Sequence, residues 1–599
     1  MLIQERLSRL REKMKETDID CYVIPTSDAH HSEYVSAFFM VRQYFSGFTG
    51  SAGTLVVTEK EAALFTDGRY FIQAQQELEG SGIRLMKMGE PQVPSLSEYV
   101  DGILAGISGK KAVLGFDGRV ITASMGERLE KIVQKYQAAI CWNQDLAASI
   151  WKERPELVHH PARILSEEDT GESVKHKLER VREAMDRAGA EIHILTSLDD
   201  IAWLFNIRGN DVECCPVVLA YAIITKKRAL LFAKEGFTSD GVPDGVELYP
   251  YEEFYTHLSF QGKKVLLDKS QVNYRVLREL ESQAPEHAVE IVDETNPTTC
   301  MKAIKNEVEL AHIRNAHLKD AVAMTKFMYW LKHGIGKFPM DEVSAAEYLN
   351  DLRAHQEGFL ELSFSTISAY GANGAIIHYE AKKETCAELK PEGMLMVDSG
   401  GHYTDGTTDI TRTFILGPVT RQMKAHYTLV LRAMLNLRAT KFLYGCTGAN
   451  LDIRAREVLW EQGLDYKHGT GHGIGNILNV HEGPQSFRWK LTPDAGKQFP
   501  FEEGMITSDE PGIYLENQYG IRIENELLCR KGERNEYGQF MYFEDLTFVP
   551  IDLDGVDLSA MGALDKQRLN DYHQMVYEKL EPHFEGEERD WLRNVTRKI

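Results

Sequence analysis

The 599-residue chain has no apolar run approaching the roughly 18–20 residues that a membrane-spanning helix needs, which excludes an integral helical membrane protein. It has no basic block: 68 Lys and Arg stand against 90 Asp and Glu, giving a net charge of -22, so nucleic acid is not an expected partner. It has no C-x-x-C pair among its eight cysteines, and the adjacent Cys214 and Cys215 read as packed side chains. Scattered thiols of this kind suit a reducing cytoplasm. The first residues, MLIQERLSRLREKM, lack the apolar core of a secretory signal, and Glu5 and Glu12 are out of place in a mitochondrial one. A cytoplasmic location is the resulting expectation. No low-complexity segment is visible, and a composition 43% hydrophobic and 26% charged is that of a folded chain.

The length exceeds what one hydrophobic core serves, so several domains are expected. The N-terminal half contains one order of segments twice. KLERVREAM (177–185) echoes RLSRLREKM (6–14), IHILTSLD (192–199) echoes 22–28, and LFNIRG (204–209) echoes FSGFTG (45–50). AIITKKRALLF (222–232) then parallels VVTEKEAALF (56–65), and GKKVLLDKS (262–270) parallels GKKAVLGFD (109–117). Five matches in the same order point to an internal duplication. Ile3, Leu7, Leu10 and Met14 recur at helical spacing, while 21–28, 45–58 and 62–71 read as strands, so each copy is an α/β domain. Boundaries fall near Pro161 and near DETNPTTC, giving domains at 1–160, 161–297 and 298–599.

The third region is organised around LMVDSGGHYTDGTTDITRTF (395–414). An apolar run ends at Asp398, a Gly- and Asp-rich turn follows, and residues 407–414 alternate in a β-rich pattern, which predicts a strand pair with Asp398 and Asp409 close together. Two bare carboxylates at short range repel, and one protonates unless a cation lies between them. Further candidates are His472 in HGTGHGIG, Glu510 in SDEPGIY and Glu524 in YGIRIENELL. Each has an ordinary reading: turn acids for the aspartates, a glycine-rich loop around His472, a strand-end acid for Glu510, and a solvated strand face carrying Arg522, Glu524 and Glu526. Asp, Asp, His, Glu and Glu on successive strands and loops of one region point instead to metal.

In that order the residues resemble the creatinase/methionine aminopeptidase, or pita-bread, metallopeptidases, and specifically the three-domain Xaa-Pro aminopeptidases. FSGFTGSAGT and TDGRYFIQA resemble the N-terminal domain of that family, and NDYHQMVYEKLEPHF and DWLRNVTRKI its C-terminal extension, here from about residue 550. The resemblance implies an α/β (α+β) chain of two creatinase-like domains followed by a pita-bread catalytic domain. It implies two divalent ions, with Asp409 and Glu524 bridging, Asp398 on one ion, and His472 with Glu510 on the other. Four carboxylates and one imidazole make a hard donor set, which favours Mn²⁺ or another hard divalent ion over a thiolate-selected metal, and Mn²⁺ is the metal the family implies.

By the same resemblance the chain hydrolyses the N-terminal Xaa-Pro bond of peptides through a metal-activated hydroxide, with Glu510 as proton shuttle. His378 and His481 would bind the scissile carbonyl or stabilise the intermediate, His468 would face the proline, and Tyr514 and Arg522 would line the pocket. A homodimer is implied as well. Two alternatives are a prolidase, restricted to Xaa-Pro dipeptides, and a non-catalytic binding protein of the same fold; the second conflicts with the complete ligand set. A methionine aminopeptidase would lack the duplicated half. Other chemistries fail on their motifs: His481-Glu482 has no second His for H-E-x-x-H, and Gly109-Lys110-Lys111 lacks the remainder of a phosphate loop.

Overall fold

The computed structural model describes residues 2–234, 236–238, 241–282, 288–490 and 498–599. The chain forms two compact units, 1–167 with 172–298, and 168–171 with 299–599.

The first unit contains the repeat. Helix α1 (Ile3–Glu16) buries Leu7, Leu10 and Met14, the apolar positions of its 3.6-residue period. It precedes a sheet of β1 (Cys21–Pro25), β2 (Thr54–Thr58), β3 (Ala62–Thr66), β4 (Arg84–Lys87), β5 (Val113–Gly115) and β6 (Ala139–Cys141), arranged β4-β3-β2-β1-β5-β6. The second copy opens with α2 (Val174–Arg187), which buries Leu178, Val181 and Met185. Its strands are β7 (Ile192–Leu195), β8 (Tyr221–Thr225), β9 (Ala229–Ala233), β10 (Glu247–Pro250), β11 (Lys264–Leu267) and β12 (Glu290–Asp293). Their order, β10-β9-β8-β7-β11-β12, repeats the first. In each copy the first strand is antiparallel to the second and parallel to the fifth.

Two sequence expectations need correction here. Residues 45–53 precede the strand that begins at Thr54 and do not belong to it. Val41–Ser46 is a short helix that ends at Gly47 in the left-handed region, φ 76°, so the FTG segment is a turn. Arg42, buried beneath that turn, donates to the carbonyls of Phe48 and Gly50 and captures the groups a strand would have paired. Likewise the strand in 62–71 ends at Thr66, and Phe71 begins a helix.

The second unit surrounds its sheets with helices. Helix α3 (Glu307–Gly334) starts at Asn306, whose side chain accepts the N–H groups of Val308 and Glu309, both at 3.0 Å. Helix α4 (Glu342–Ala354) starts at Asp341, which accepts from Ser344 N–H at 2.6 Å. Strands β13 (Ile367–Tyr370), β14 (Met394–Ser399) and β15 (Ile410–Ile415) form an antiparallel three-stranded sheet in that order. Helix α5 (Arg421–Arg438) follows and buries Tyr427, Val430, Leu431 and Met434. A six-stranded sheet follows, with β16 (Phe442–Leu443), β17 (Gly471–Gly473), β18 (Glu482–Phe487), β19 (Ile506–Asp509), β22 (Asn525–Asn535) and β23 (Gly538–Asp545) in the order β16-β23-β22-β19-β17-β18. Between them, β20 (Gly512–Leu515) and β21 (Tyr519–Arg522) form a separate ribbon.

The C-terminal residues are tied into this core by helix α6 (Ala563–Leu580). Its Tyr572 hydroxyl accepts from Arg412 Nη2 at 2.8 Å. The same fully buried guanidinium donates to the carbonyl of Val549 at 2.9 Å, to Asn525 Oδ1 at 2.8 Å, and to the carbonyl of Glu524. One side chain thus links β15, the start of β22 and α6. No described helix is long and apolar enough to cross a membrane.

Candidate metal centre

Four of the five candidate ligands lie at strand ends or junctions, where side chains can converge. Asp398 is the penultimate residue of β14 and pairs with Thr411 of β15. Asp409 immediately precedes β15, Glu510 immediately follows β19, and Glu524 lies in the break between β21 and β22. His472 is central in β17, whose Gly473 pairs with Thr507 of β19.

The glycine-rich loop expected around His472 is in part a strand, and Gly471 and Gly473 lie in it on either side of the histidine. A Cβ on Gly471 would collide with the carbonyl of Ser508, and one on Gly473 with the carbonyl of Glu482. Glycine therefore lets three backbones approach and brings His472 against the acids. The reading of residues 521–526 as a solvated strand face is also overturned: Arg522, Glu524 and Glu526 are all buried, and the chain switches sheets between Arg522 and Asn525.

His472 Nδ1 donates to the carbonyl of Gly473 at 3.0 Å. That bond fixes the tautomer and leaves the Nε2 lone pair facing the carboxylates. Nε2 lies 3.5 Å from Asp409 Oδ2 and 3.8 Å from Glu510 Oε1. Ligand atoms of Asp409, His472 and Glu524 all fall within 4.8 Å of one another. Glu524 is held by Thr411, whose hydroxyl donates to Oε2 at 2.7 Å. Asp398 is held through Oδ2 by Arg522 Nη2.

The other oxygens of these three acids reveal the chemistry. Asp398 Oδ1, Asp409 Oδ1 and Glu524 Oε1 are buried, with no hydrogen-bond partner among the described residues. Burial, followed by the charges of Glu524, Asp398, Glu526 and Glu510, pushes Asp409 well above the ordinary carboxylate range. Glu524 is pushed up by burial and by Asp398 and Glu510. Such a cluster is costly as it stands and is the arrangement that divalent cations relieve. The donor set fits two such ions.

The candidate pocket residues join the same region. Arg522 Nη1 donates to the Tyr514 hydroxyl at 2.9 Å, which in turn lies 2.9 Å from His468 Nε2. Because His468 Nδ1 donates to the carbonyl of Gly469 at 2.6 Å, the chain runs with one polarity from Arg522 through Tyr514 to His468. His481 meets His472 edge-on, with ring centroids 4.2 Å apart at 89°. His378 follows Ile377, whose carbonyl accepts from Arg522 Nη2 at 3.4 Å.

Residues beneath the acids were harder to foresee. Glu526 Oε1 accepts the backbone N–H of Asp409 at 2.6 Å, and its other oxygen lies 3.0 Å from His317 Nε2 of α3. Asp320, one helical turn from His317, binds Arg353 of α4 at 2.6 and 3.0 Å and accepts from the Tyr403 hydroxyl at 2.7 Å. Arg353 also donates to the carbonyl of Ser399, next to Asp398, at 3.3 Å. Buried polar residues at helical spacing, His317 and Asp320, were the available sign.

Comparison with known proteins bears on this arrangement. The profile of metallopeptidase family M24 matches residues 311–531, and that of the C-terminal region of the same peptidases matches 539–599. The creatinase/prolidase N-terminal domain matches twice, at 6–141 and 153–309. Aminopeptidase P2 of Arabidopsis thaliana is 38% identical over 640 residues, covering 100% of this chain and 89% of its own length. The chain belongs to metallopeptidase family M24. Within that family it is also similar to a probable Xaa-Pro aminopeptidase P of Botryotinia fuckeliana, 37% identical over 98% of this chain and 92% of the relative. An X-prolyl aminopeptidase from Caenorhabditis elegans, described as a cytosolic enzyme with a di-nuclear active site, superposes with a TM-score of 0.93 at 30% identity over 100% of both chains. The family membership accounts for both N-terminal sheets and for the pita-bread architecture of the second unit.

Proposed function

We propose that the chain is a metal-dependent Xaa-Pro aminopeptidase, releasing the first residue from peptides with proline second. The observation that carries the chemistry is the set of buried carboxylate oxygens on Asp398, Asp409 and Glu524 that lack hydrogen-bond donors among the described residues, on acids of which Asp409 and Glu524 bring a ligand atom within 4.8 Å of His472. Full-length relatives named for this activity support the choice of substrate.

Asp398, Asp409, His472, Glu510 and Glu524 would hold two divalent ions. The hard, oxygen-rich donor set favours Mn²⁺. When bound, the ions supply a nucleophilic water at neutral pH and polarise the scissile carbonyl. Glu510, partly exposed beside His472, is placed to carry a proton from the attacking water to the leaving proline nitrogen. His481, packed on His472, and His378 donate to the carbonyl oxygen as it becomes charged. His468 has its Nδ1 proton committed to Gly469 and its Nε2 to Tyr514, so it presents a ring face to the proline. Arg522 holds Asp398 and Tyr514 together and keeps the pocket in register with the ligands. Domain limits at 160 and 297 and a homodimeric assembly in the cytoplasm complete the proposal.

The test is hydrolysis of Arg-Pro-Pro, Arg-Pro and Arg-Ala-Ala by metal-stripped protein before and after Mn²⁺ is added, with Asp409→Ala as control. Release of Arg from Arg-Pro-Pro, dependent on Mn²⁺ and on Asp409, is the expected result. Cleavage of Arg-Pro alone would mean a prolidase, and cleavage of none with any divalent metal would remove the enzymatic reading.

A further inference from the structure

The segment that carries His378, residues 371–379, has little regular structure of its own beyond a 3₁₀ turn at Gly371–Ala375. Its order comes from outside, at three places. Gly374 lies directly on Gly520 of β21, where a Cβ on Gly520 would collide with the Gly374 carbonyl. The carbonyl of Ile377 is taken by Arg522 Nη2 at 3.4 Å. The third hold is Glu342, the first residue of α4 and fully buried.

The Glu342 carboxylate gathers donors from both ends of the segment. Oε1 accepts the N–H of Tyr370 at 2.6 Å and the Asn373 amide at 2.9 Å. Oε2 accepts the Tyr379 hydroxyl at 2.8 Å, the N–H of Ala387 at 2.8 Å and the same Asn373 amide at 3.2 Å. Each partner is a neutral donor, so an ionised acid is the one side chain of this length that can serve them all. Charge-assisted bonds of this kind are roughly twice as strong as neutral ones. The N-terminus of α4 adds a favourable dipole for the negative charge.

His378 therefore lies between two anchored neighbours, Ile377 on Arg522 and Tyr379 on Glu342. Tyr379 also packs, together with Tyr514, against the small cluster of Ile367, Ala369 and Met396. We propose that Glu342 is a positioning residue for catalysis, which fixes the backbone on the far side of His378 through Tyr379 and Asn373 and so sets the direction of the imidazole. The inference rests on the aminopeptidase reading for what His378 does, but not for how it is held.

The test uses full-length, Mn²⁺-loaded protein carrying Tyr379→Phe, which removes one hydroxyl and keeps the ring, and Glu342→Gln, which turns an amide against backbone donors. Each is made with His378 intact and with His378→Ala. On Arg-Pro-Pro, Tyr379→Phe is expected to lower kcat roughly tenfold with KM little changed, on the scale of a displaced catalytic group. Glu342→Gln, provided it folds, is expected to cost more. Metal content should stay that of the parent. In the His378→Ala background the Tyr379→Phe loss should fall below about twofold, because coupled residues do not add. Equal losses in both backgrounds, or an unchanged kcat, would overturn the inference. A second readout is independent of turnover and uses the metal-stripped proteins, in which no paramagnetic ion broadens the resonance: the ¹³Cε1 signal of His378, assigned by its absence in His378→Ala, should shift in Tyr379→Phe while that of His573 does not. If the parent releases nothing from Arg-Pro-Pro, the functional reading fails and the His378 signal still decides the positioning role; an unmoved signal rejects it.

Discussion

The backbone N–H of Asp409 donates to Oε1 of Glu526 at 2.6 Å, while the Asp409 side chain faces His472. A proposed metal ligand is therefore oriented through its main chain by an acid that is itself only two residues from Glu524. Both acids are buried, and Glu526 is raised by that burial, with His317 acting against it. Glu526→Ala should weaken Mn²⁺ binding by roughly 10–100-fold, the usual scale for removing a residue that supports a ligand. Calorimetric titration of the stripped protein measures this, and an affinity equal to that of the parent would show that Asp409 is held without Glu526.

Stripping the metal should lower thermal stability. The buried oxygens of Asp398, Asp409 and Glu524 have no donors to turn to, so the stripped site retains uncompensated polar burial. Ligand linkage predicts a gain of about 2.7 kcal/mol at a free Mn²⁺ concentration 100 times the dissociation constant. Melting curves across an Mn²⁺ series should rise accordingly, and Mg²⁺ at the same concentrations should raise them less.

His573 supplies a pH dependence away from the metal centre. Its Nε2 accepts the N–H of Ile551 at 3.1 Å, which requires a neutral ring. Burial, then the charges of Arg412 and Arg597, pushes its pKa down to about 3. The unfolded chain, near 6.5, binds the proton first, so this contribution is fully present above that pH and fades as pH falls towards 3. At pH 5 the loss is roughly 2 kcal/mol. His573→Gln retains an acceptor but does not titrate, so its stability deficit relative to the parent should narrow between pH 7.5 and pH 5. A constant deficit would contradict the assignment.

Gly471→Ala should disturb both the fold and the site. The added methyl meets the Ser508 carbonyl, a backbone atom that cannot turn away, and overpacking of this type costs about 1–3 kcal/mol. Because β17 must shift to relieve it, His472 moves with the strand. Denaturant unfolding measures the first effect and metal content the second.

The sequence was most informative where information is local or repeated. The helix and strand echoes at 6–14 and 177–185, and at 56–65 and 222–232, are legible because two copies of one pattern reinforce each other, and both sheets share a strand order. Asp398 and Asp409 were legible because a Gly- and Asp-rich turn between β-rich segments places strand ends side by side. Residues 45–53 misled because their β propensity is overridden by Arg42, a tertiary partner that composition does not reveal. Glu342 could not be read at all: its donors come from Tyr370, Asn373, Tyr379 and Ala387, and only folding assembles them. The ordinary alternative for Glu524, a solvated strand face, fails for a related reason, since alternation along 521–526 assumes one continuous strand, and the chain there leaves one sheet for another.

Arg412 has a consequence for the order in which the molecule is made. It joins the carbonyl of Glu524 to Val549 and Tyr572, residues that supply no candidate ligand. A ribosome delivers all five acidic and imidazole groups before it delivers Val549, and Tyr572 comes later still. Until then a guanidinium destined for complete burial has only part of its shell of acceptors, and the junction that presents Glu524 is not yet anchored. The junction that presents Glu524 is thus closed by residues made after every candidate ligand, so a nascent chain that stops short of Tyr572 should carry the acids without the brace that aligns them.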